Sequence, residues 1–391
     1  MTSFAAGVVP EQLEVPCVLM RGGTSKALFF HIRDVPPQGP ARDGFLKRVM
    51  GTPDPLQIDG LGGSRLVTSK VALIGPSSRA DADVDYTFAQ CDVERDLIGY
   101  DANCGNISSA VAPFAIDEGL VVATEPVTTV RIHNTNTGTL LVSKVPVRNG
   151  KARVFGDCSV AGVPGTGAEI VMDYTDTLGA KTGKLLPTGE PLDVIALEDG
   201  RRIEVSIVDA ATPCVFIAAG SLGLTGSELP PAISADRALI EMIGEIQSKA
   251  GVRIGLYADW RDVHLPGLPL AVLVAPAAEY TDVNREAVQA ADCDLRARLV
   301  FLGKCHDSMA GTGAICTAAA SCVPGTLTNI AADLRAPPGT LRIGHPLGVM
   351  AVKVVARSGG LPTETRFEAL GLQRTARRLM AGMVYVPLAL D

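Results

Sequence analysis

The feature that most restricts how this chain can fold is a pattern that occurs twice, 206 residues apart. Asn103-Cys104-Gly105-Asn106 leads into a stretch where Ile107, Ala110, Val111 and Phe114 keep helical spacing, and Gly119 supplies a stop. Gly311-Thr312-Gly313-Ala314 leads into a second stretch with Ile315, Ala318, Ala319 and Cys322 on one face, ended by Pro324-Gly325. The shift superimposes Cys104-Gly105 on Ala310-Gly311 and Gly119 on Gly325, and it is about half of the 391 residues. One glycine-rich turn feeding one apolar helix in each half predicts a duplicated architecture. Asn103 is placed to cap the first helix, and Pro113 is expected to kink it.

The remaining sequence reads mainly as strands. Aromatic residues make up only 4%, against 41 Gly and 26 Pro, which suits short strands and many turns. Apolar runs on either side of Arg21-Gly22-Gly23-Thr24-Ser25-Lys26 predict a hairpin. A short helix is expected at 41–50, and a flexible loop at Asp59-Gly60-Leu61-Gly62-Gly63. Lys70 stands at the entrance of the strand Val71–Ile74. Residues 83–91 and 127–146 alternate as extended chain. A turn-rich connection near 180–200 joins the halves, and Glu198–Arg202 reads as a polar hairpin tip. The expected organisation is α+β. An N-terminal lobe (1–190) carries Lys70 and Cys104. A C-terminal lobe (191–391) carries Gly311-Thr312-Gly313, with its last strands free to cross back.

The formal net charge of −7 argues against nucleic acid, whose phosphates demand a basic surface. A small anion remains acceptable if a few cations are gathered in one cleft. Nine cysteines, an odd number with no C-x-x-C pair, read as reduced thiols in a cytoplasmic protein. No metal is expected: the five histidines make no H-x-x-x-H pair, and Cys305-His306 has no third ligand in register. The first residues lack a charged segment followed by an apolar core, so no signal peptide is expected. The longest uncharged run, Ser308–Ala332, is broken by Gly, Pro, Thr and Asn and reads as a buried loop and helix, so no membrane partner is expected.

Cys104 at a helix start is the strongest candidate for chemistry. Helix N-termini present unpaired N–H groups and a dipole that favours anions, including a thiolate able to act as base or acid. Gly105 would let a carboxylate approach the backbone. The alternative is a small buried residue before an ordinary capped helix. The turn at Gly311-Thr312-Gly313 offers the same cradle without a thiol, and its glycines equally suit close packing. Arg21, Gly22, Gly23, Thr24 and Ser25 lack phosphate-loop spacing but could present N–H groups, two hydroxyls and a cation to a carboxylate. A plain hairpin tip is the competing reading. Lys70 becomes a base only if burial or a neighbouring cation lowers its proton affinity. A lysine at a strand start is ordinarily on the surface.

Six segments in order resemble one family: Met20–Lys26, Gln57–Gly63, Thr68-Ser69-Lys70, Asn103–Asn106, Gly183–Gly189 and Gly311–Ala314. They are similar to the methylaconitate isomerases, oxalomesaconate tautomerases and methylitaconate isomerases, from about residue 15 to Met380. The resemblance implies a diaminopimelate epimerase-like fold, two similar lobes each wrapping strands round a central helix, with substrate between the helix N-termini. It implies cofactor-free proton transfer on an unsaturated di- or tricarboxylate, a small-molecule partner, and admits a homodimer. Epimerases of this fold use one thiol per lobe. Cys104 matches the first and Ala310 falls on the second, so a two-thiol racemase is disfavoured. Lys70 matches the lysine implicated as base in the allylic isomerases. Ser69, Asn103, Gly105, Asn106, His306 and Gly311–Gly313 are carried over as substrate-binding positions, with Arg21, Thr24 and Ser25 holding a distal carboxylate. An amino-acid epimerase and a non-catalytic carboxylate-binding protein stand as the alternatives.

Overall fold

The computed structural model describes residues 11–100, 104–262, 267–332 and 339–388. Gln12–Gly22 (β1) and Ser25–His31 (β2) form the expected hairpin, turning through Gly23 at φ +49°. Pro40–Met50 (α1) follows, then Lys70–Pro76 (β3) and Val84–Cys91 (β4). Gly105–Asp117 (α2) is the first predicted helix. Val127–Asn134 (β5), Thr139–Arg148 (β6) and Ile170–Asp173 (β7) complete this half. The second half runs through Asp193–Ala196 (β8), Arg202–Ala210 (β9), Thr212–Ala218 (β10), Arg237–Arg253 (α3), Leu270–Pro276 (β11) and Leu295–Phe301 (β12). Gly311–Ser321 (α4), Thr340–His345 (β13), Gly348–Arg357 (β14), Arg366–Arg374 (β15) and Ala376–Pro387 (β16) end it.

Strand pairing shows the duplication directly. The order β1–β2–β3–β4–β5–β6–β7 is joined by antiparallel, parallel, antiparallel, parallel, antiparallel and antiparallel pairings. The order β9–β10–β11–β12–β13–β14–β15 repeats that sequence of senses. Each series has one more antiparallel strand at its start. For the second repeat this is the adjacent β8; for the first it is β16, the end of the chain. The β7–β15 pairing joins the two repeats into one sheet.

The pleat explains the layers. Alternate side chains of a strand point to opposite faces. In β3, Val71 and Leu73 pack with Phe45, Leu46 and Val49 of α1, whereas Ala72 and Ile74 pack with Ile107, Val111 and Phe114 of α2. In β11, Ala271 and Leu273 join Ile243 and Ile246 of α3, and Val272 and Val274 join Ile315 and Ala318 of α4. Thus α1 and α3 lie outside, and α2 and α4 lie inside the curled sheets. Every residue of α4, and Gly105–Ile116 of α2, is buried, as expected of helices apolar all round.

Pro113 is accommodated inside α2 without interrupting it, and Gly119, at φ +73°, follows its end. The second helix stops earlier than its Pro324-Gly325 signal suggests. The N–H groups of Cys322 and Val323 close tighter i→i+3 bonds onto Ala319 and Ala320, and a short capped turn follows at Leu327–Ala331. No helix among the described residues is long and apolar enough to cross a membrane.

Candidate active site

The two central helices meet end to end. A Cβ built on Gly105 would lie 2.8 Å from the Gly311 carbonyl carbon and from Thr312 N, and one built on Gly311 would lie 2.9 Å from the Gly105 carbonyl carbon. Glycine at both positions is what lets the backbones touch. Each helix N-terminus carries roughly half a positive charge, so two of them face each other in the interior. An anion at the junction relieves that opposition and gains the first-turn N–H groups.

Beside this junction lies a small cavity of about 30 Å³. Its walls are equivalent positions of the two repeats. Lys70 and Leu270 open the equivalent strands β3 and β11. Phe88 faces Ala72 across the sheet as Leu299 faces Val272. Gln90 is the cross-strand partner of Lys70, and Phe301 follows the Ala271–Val300 pair at the corresponding place. Cys104 and Ala310 precede the helices, and Asn106 and Thr312 are their second residues. His306 completes the lining. The first repeat therefore contributes an amine, an amide and a thiol where the second contributes Leu270, Phe301 and Ala310.

Lys70 is only 5% exposed. Its Nζ donates to Gln90 Oε1 at 2.5 Å and lies 5.1 Å from the centre of the Phe88 ring. Burial pulls its proton affinity below the ordinary lysine value. Negative charge on Cys104, then on Cys91, and a hydrogen bond with Cys104 act in the other direction. His306 is pulled down to about 3, first by burial and then by Lys70, so it is a neutral imidazole. Its Nδ1 accepts from Ser308 N at 3.0 Å, which leaves the proton on Nε2 as a donor.

The Gly22–Ser25 turn packs on the first turn of α2 rather than lining the cavity. A Cβ on Gly22 would sit 2.4 Å from Asn106 O, and one on Gly23 would sit 2.3 Å from Asn106 Oδ1. Asn106 is tied on both sides: its Nδ2 donates to Thr24 Oγ1 (3.1 Å), and its Oδ1 accepts from Arg374 Nε (3.2 Å). Arg374 is buried, which lowers its guanidinium to about 10. Thr24 Oγ1 reaches Ser308 Oγ of the other repeat at 3.4 Å. Ser25 Oγ is buried with no partner among the described residues.

Arg21, expected to hold a distal carboxylate, directs its guanidinium to Gly23 O, Thr375 O and Thr375 Oγ1 instead. It braces the turn, because backbone carbonyls of the hairpin and of the chain after β15 converge on it. Ser69 is buried and donates to Gln57 Oε1 at 2.6 Å, away from the cavity. Gly313 serves packing, since a Cβ there would meet Leu299 Cδ1 at 2.5 Å. Asn103 lies outside the described residues. Gln90, Phe88, Leu270, Leu299 and Phe301 escape a sequence reading. Of these, Gln90 alone carries a signal, a single amide among the buried residues that end the strand Val84–Cys91.

The cavity adjoins a wider opening of about 270 Å³ that shares His306. Two ion pairs cross between the repeats at this mouth, Arg65–Asp307 (2.9 Å) and Lys304–Glu94 (2.6 Å).

Comparison with known proteins places this geometry. The chain is 45% identical to 3-methylitaconate isomerase of Eubacterium barkeri over 379 residues, covering 96% of this chain and 98% of that one. It is 38% identical to 4-oxalomesaconate tautomerase of Pseudomonas putida over 376 residues, covering 96% and 97%. Among solved structures it resembles methylitaconate-delta-isomerase, with a TM-score of 0.77, 45% identity and 97% of each chain covered. A hydroxyproline epimerase from Agrobacterium vitis shares the fold alone, with a TM-score of 0.55 at 15% identity over 98% of this chain and 94% of that one. The fold is thus the diaminopimelate epimerase-like one. The PrpF protein family model matches residues 12–387, nearly the whole length, and the chain belongs to that family.

Proposed function

We propose that this protein is an isomerase that moves a proton between the two ends of an allylic unit in an unsaturated di- or tricarboxylate, without a cofactor. The acids named for its relatives, 3-methylitaconate and 4-oxalomesaconate, together with methylaconitate, are the substrates to try first. The observation that carries the reading is the unequal cavity. Lys70 and Cys104 stand on one wall, and their equivalents Leu270 and Ala310 cannot hold a proton.

Inversion at a single carbon needs a proton donor and a proton acceptor on opposite faces. A shift from one carbon to another two bonds away needs one group on one face. Neutral Lys70 takes the proton from the first carbon, leaving a dienolate. The same ammonium, or Cys104 hydrogen-bonded to it, returns a proton to the far carbon. The helix ends at Gly105–Asn106 and Gly311–Gly313 stabilise the carboxylate as its charge grows, without reorganisation. His306 adds an uncharged donor. Thr24 and Ser25, with Arg21 as a brace, shape the far end of the site through Asn106. The repeats divide near residue 190, and the nine free thiols support a reducing cytoplasm.

The test is proton NMR in deuterated water with each acid. Turnover should carry deuterium into both allylic positions, and Lys70→Met should abolish it. Full activity in Lys70→Met on the acid that wild type converts would refute the lysine base. The alternative of a carboxylate-binding protein would be favoured if an acid bound and no exchange occurred.

A further inference from the structure

Gln90 touches Lys70, and its environment dictates both which of its atoms does so and that it be uncharged. Its side chain is 3% exposed. Nε2 lies within donating distance of three backbone carbonyls: Ser69 O at 2.9 Å, Leu66 O at 3.2 Å and Cys91 O at 3.3 Å. Turning the amide over would set Oε1 against those three oxygens, so Oε1 must face the amine. The register that pairs Gln90 with Lys70 in β3–β4 sets the 2.5 Å contact.

We propose that Gln90 is the positioning residue of this site, aiming the Lys70 lone pair at the cavity while leaving the amine free to lose its proton. An amide oxygen accepts from an ammonium and, less strongly, from a neutral amine. It therefore holds Nζ through the whole proton cycle. A neutral amine that gives one N–H to Gln90 has its lone pair directed elsewhere, and the open volume beside it is the cavity shared with Cys104 and His306. A carboxylate at position 90 would act differently. It would bind the ammonium as an ion pair, and it would face three carbonyl oxygens with nothing to donate. No Asp or Glu lines the cavity among the described residues, so no carboxylate there holds Lys70 as an ammonium. The equivalent place in the second repeat is Phe301 beside Leu270, where there is no amine to aim.

This inference rests on Lys70 being the base, and its test separates the two ideas. The Lys70 proton can be followed by 15N NMR of protein labelled at lysine Nζ, with or without a known substrate. In Gln90→Glu, Lys70 should titrate about 1–3 pH units higher, cutting its neutral fraction at fixed pH by about 10- to 1,000-fold. In Gln90→Met, which keeps length and burial but removes the acceptor, Lys70 should stay at least as easily deprotonated as in wild type. With 3-methylitaconate, if wild type converts it, kcat should fall more than tenfold in Gln90→Met with KM within about twofold. The pH–rate profile of Gln90→Glu should move to alkaline pH by the shift seen in NMR. Unchanged Lys70 titration in Gln90→Glu, or wild-type kcat in Gln90→Met, overturns the role of Gln90. If Gln90→Glu moves the Lys70 titration but wild type converts no acid, the positioning contact stands and the isomerase reading falls.

Discussion

Replacing Gly105 with alanine puts one methyl group at the point where the central helices meet. The new Cβ would lie 2.8 Å from both Gly311 C and Thr312 N, closer than carbon atoms pack, and the opposing group is backbone. Separating two buried helices costs about 1–3 kcal/mol by analogy with overpacked cores. Intrinsic propensity works the other way, because alanine is up to about 1 kcal/mol better than glycine inside a helix. Gly44 of α1 separates the two effects, since a Cβ there meets nothing within 4 Å. Gly44→Ala should therefore stabilise the protein by about 0.5–1 kcal/mol. Gly105→Ala should destabilise it by about 1–3 kcal/mol, and Gly311→Ala should do the same because the contact is reciprocal. At roughly 2.1 cal/mol/K per residue, 391 residues give an unfolding entropy near 0.8 kcal/mol/K, so the expected fall in Tm is about 1–4 °C. Differential scanning calorimetry of the three variants reads this directly. A Tm for Gly105→Ala that rises together with Gly44→Ala would refute the end-to-end contact.

Two further perturbations follow from charge. His345 is fully buried, and burial, then Arg374, Arg298 and His306, pull it down to about 3, against about 6.5 in an unfolded chain. Below pH 6.5 the unfolded state therefore takes up a proton that the folded state refuses, so stability from this group is complete above pH 6.5 and drains as pH falls towards 3. His345→Asn, whose Oδ1 replaces the Nδ1 that accepts from Leu347 N, should lose about 2 kcal/mol less than wild type between pH 6.5 and 4.5. Equal acid sensitivity of the two in denaturant melts would refute that assignment. At the cleft mouth, the Arg65–Asp307 pair is solvent-exposed and is worth at most about 0.5 kcal/mol. Asp307→Asn should thus leave Tm nearly unchanged, yet raise kcat/KM for a polycarboxylate at low salt by removing a negative charge from the approach, with the gain vanishing at high salt. A loss of more than 1 kcal/mol would instead make the pair structural.

The chemistry of the site was only half legible in the sequence. Cys104 was visible because a helix start announces itself locally, through glycine and the spacing of Ile107, Val111 and Phe114. Lys70 was visible as a position and not as a buried amine: its burial comes from β2 and β4 closing on either side and from Phe88 lying under its Nζ. Gln90 acquired meaning only from the β3–β4 register. Arg21 read as a ligand for carboxylate, and only the fold brings its guanidinium to the carbonyls of Gly23 and of Thr375, 354 residues further along the chain.

The twofold pattern of glycine turn and apolar helix, 206 residues apart, is a property of the sequence alone. Local propensity and periodicity were enough to place both helices and the strand that begins at Lys70. Tertiary structure decided that Gly105 and Gly311 touch, that the last strand of the chain completes the first repeat, and that Leu270, Leu299 and Phe301 form the wall facing Lys70. These depend on pairings between residues tens to hundreds of positions apart. Such contacts are set by the closing of one sheet around two buried helices, and no local pattern of side chains encodes which of them will meet.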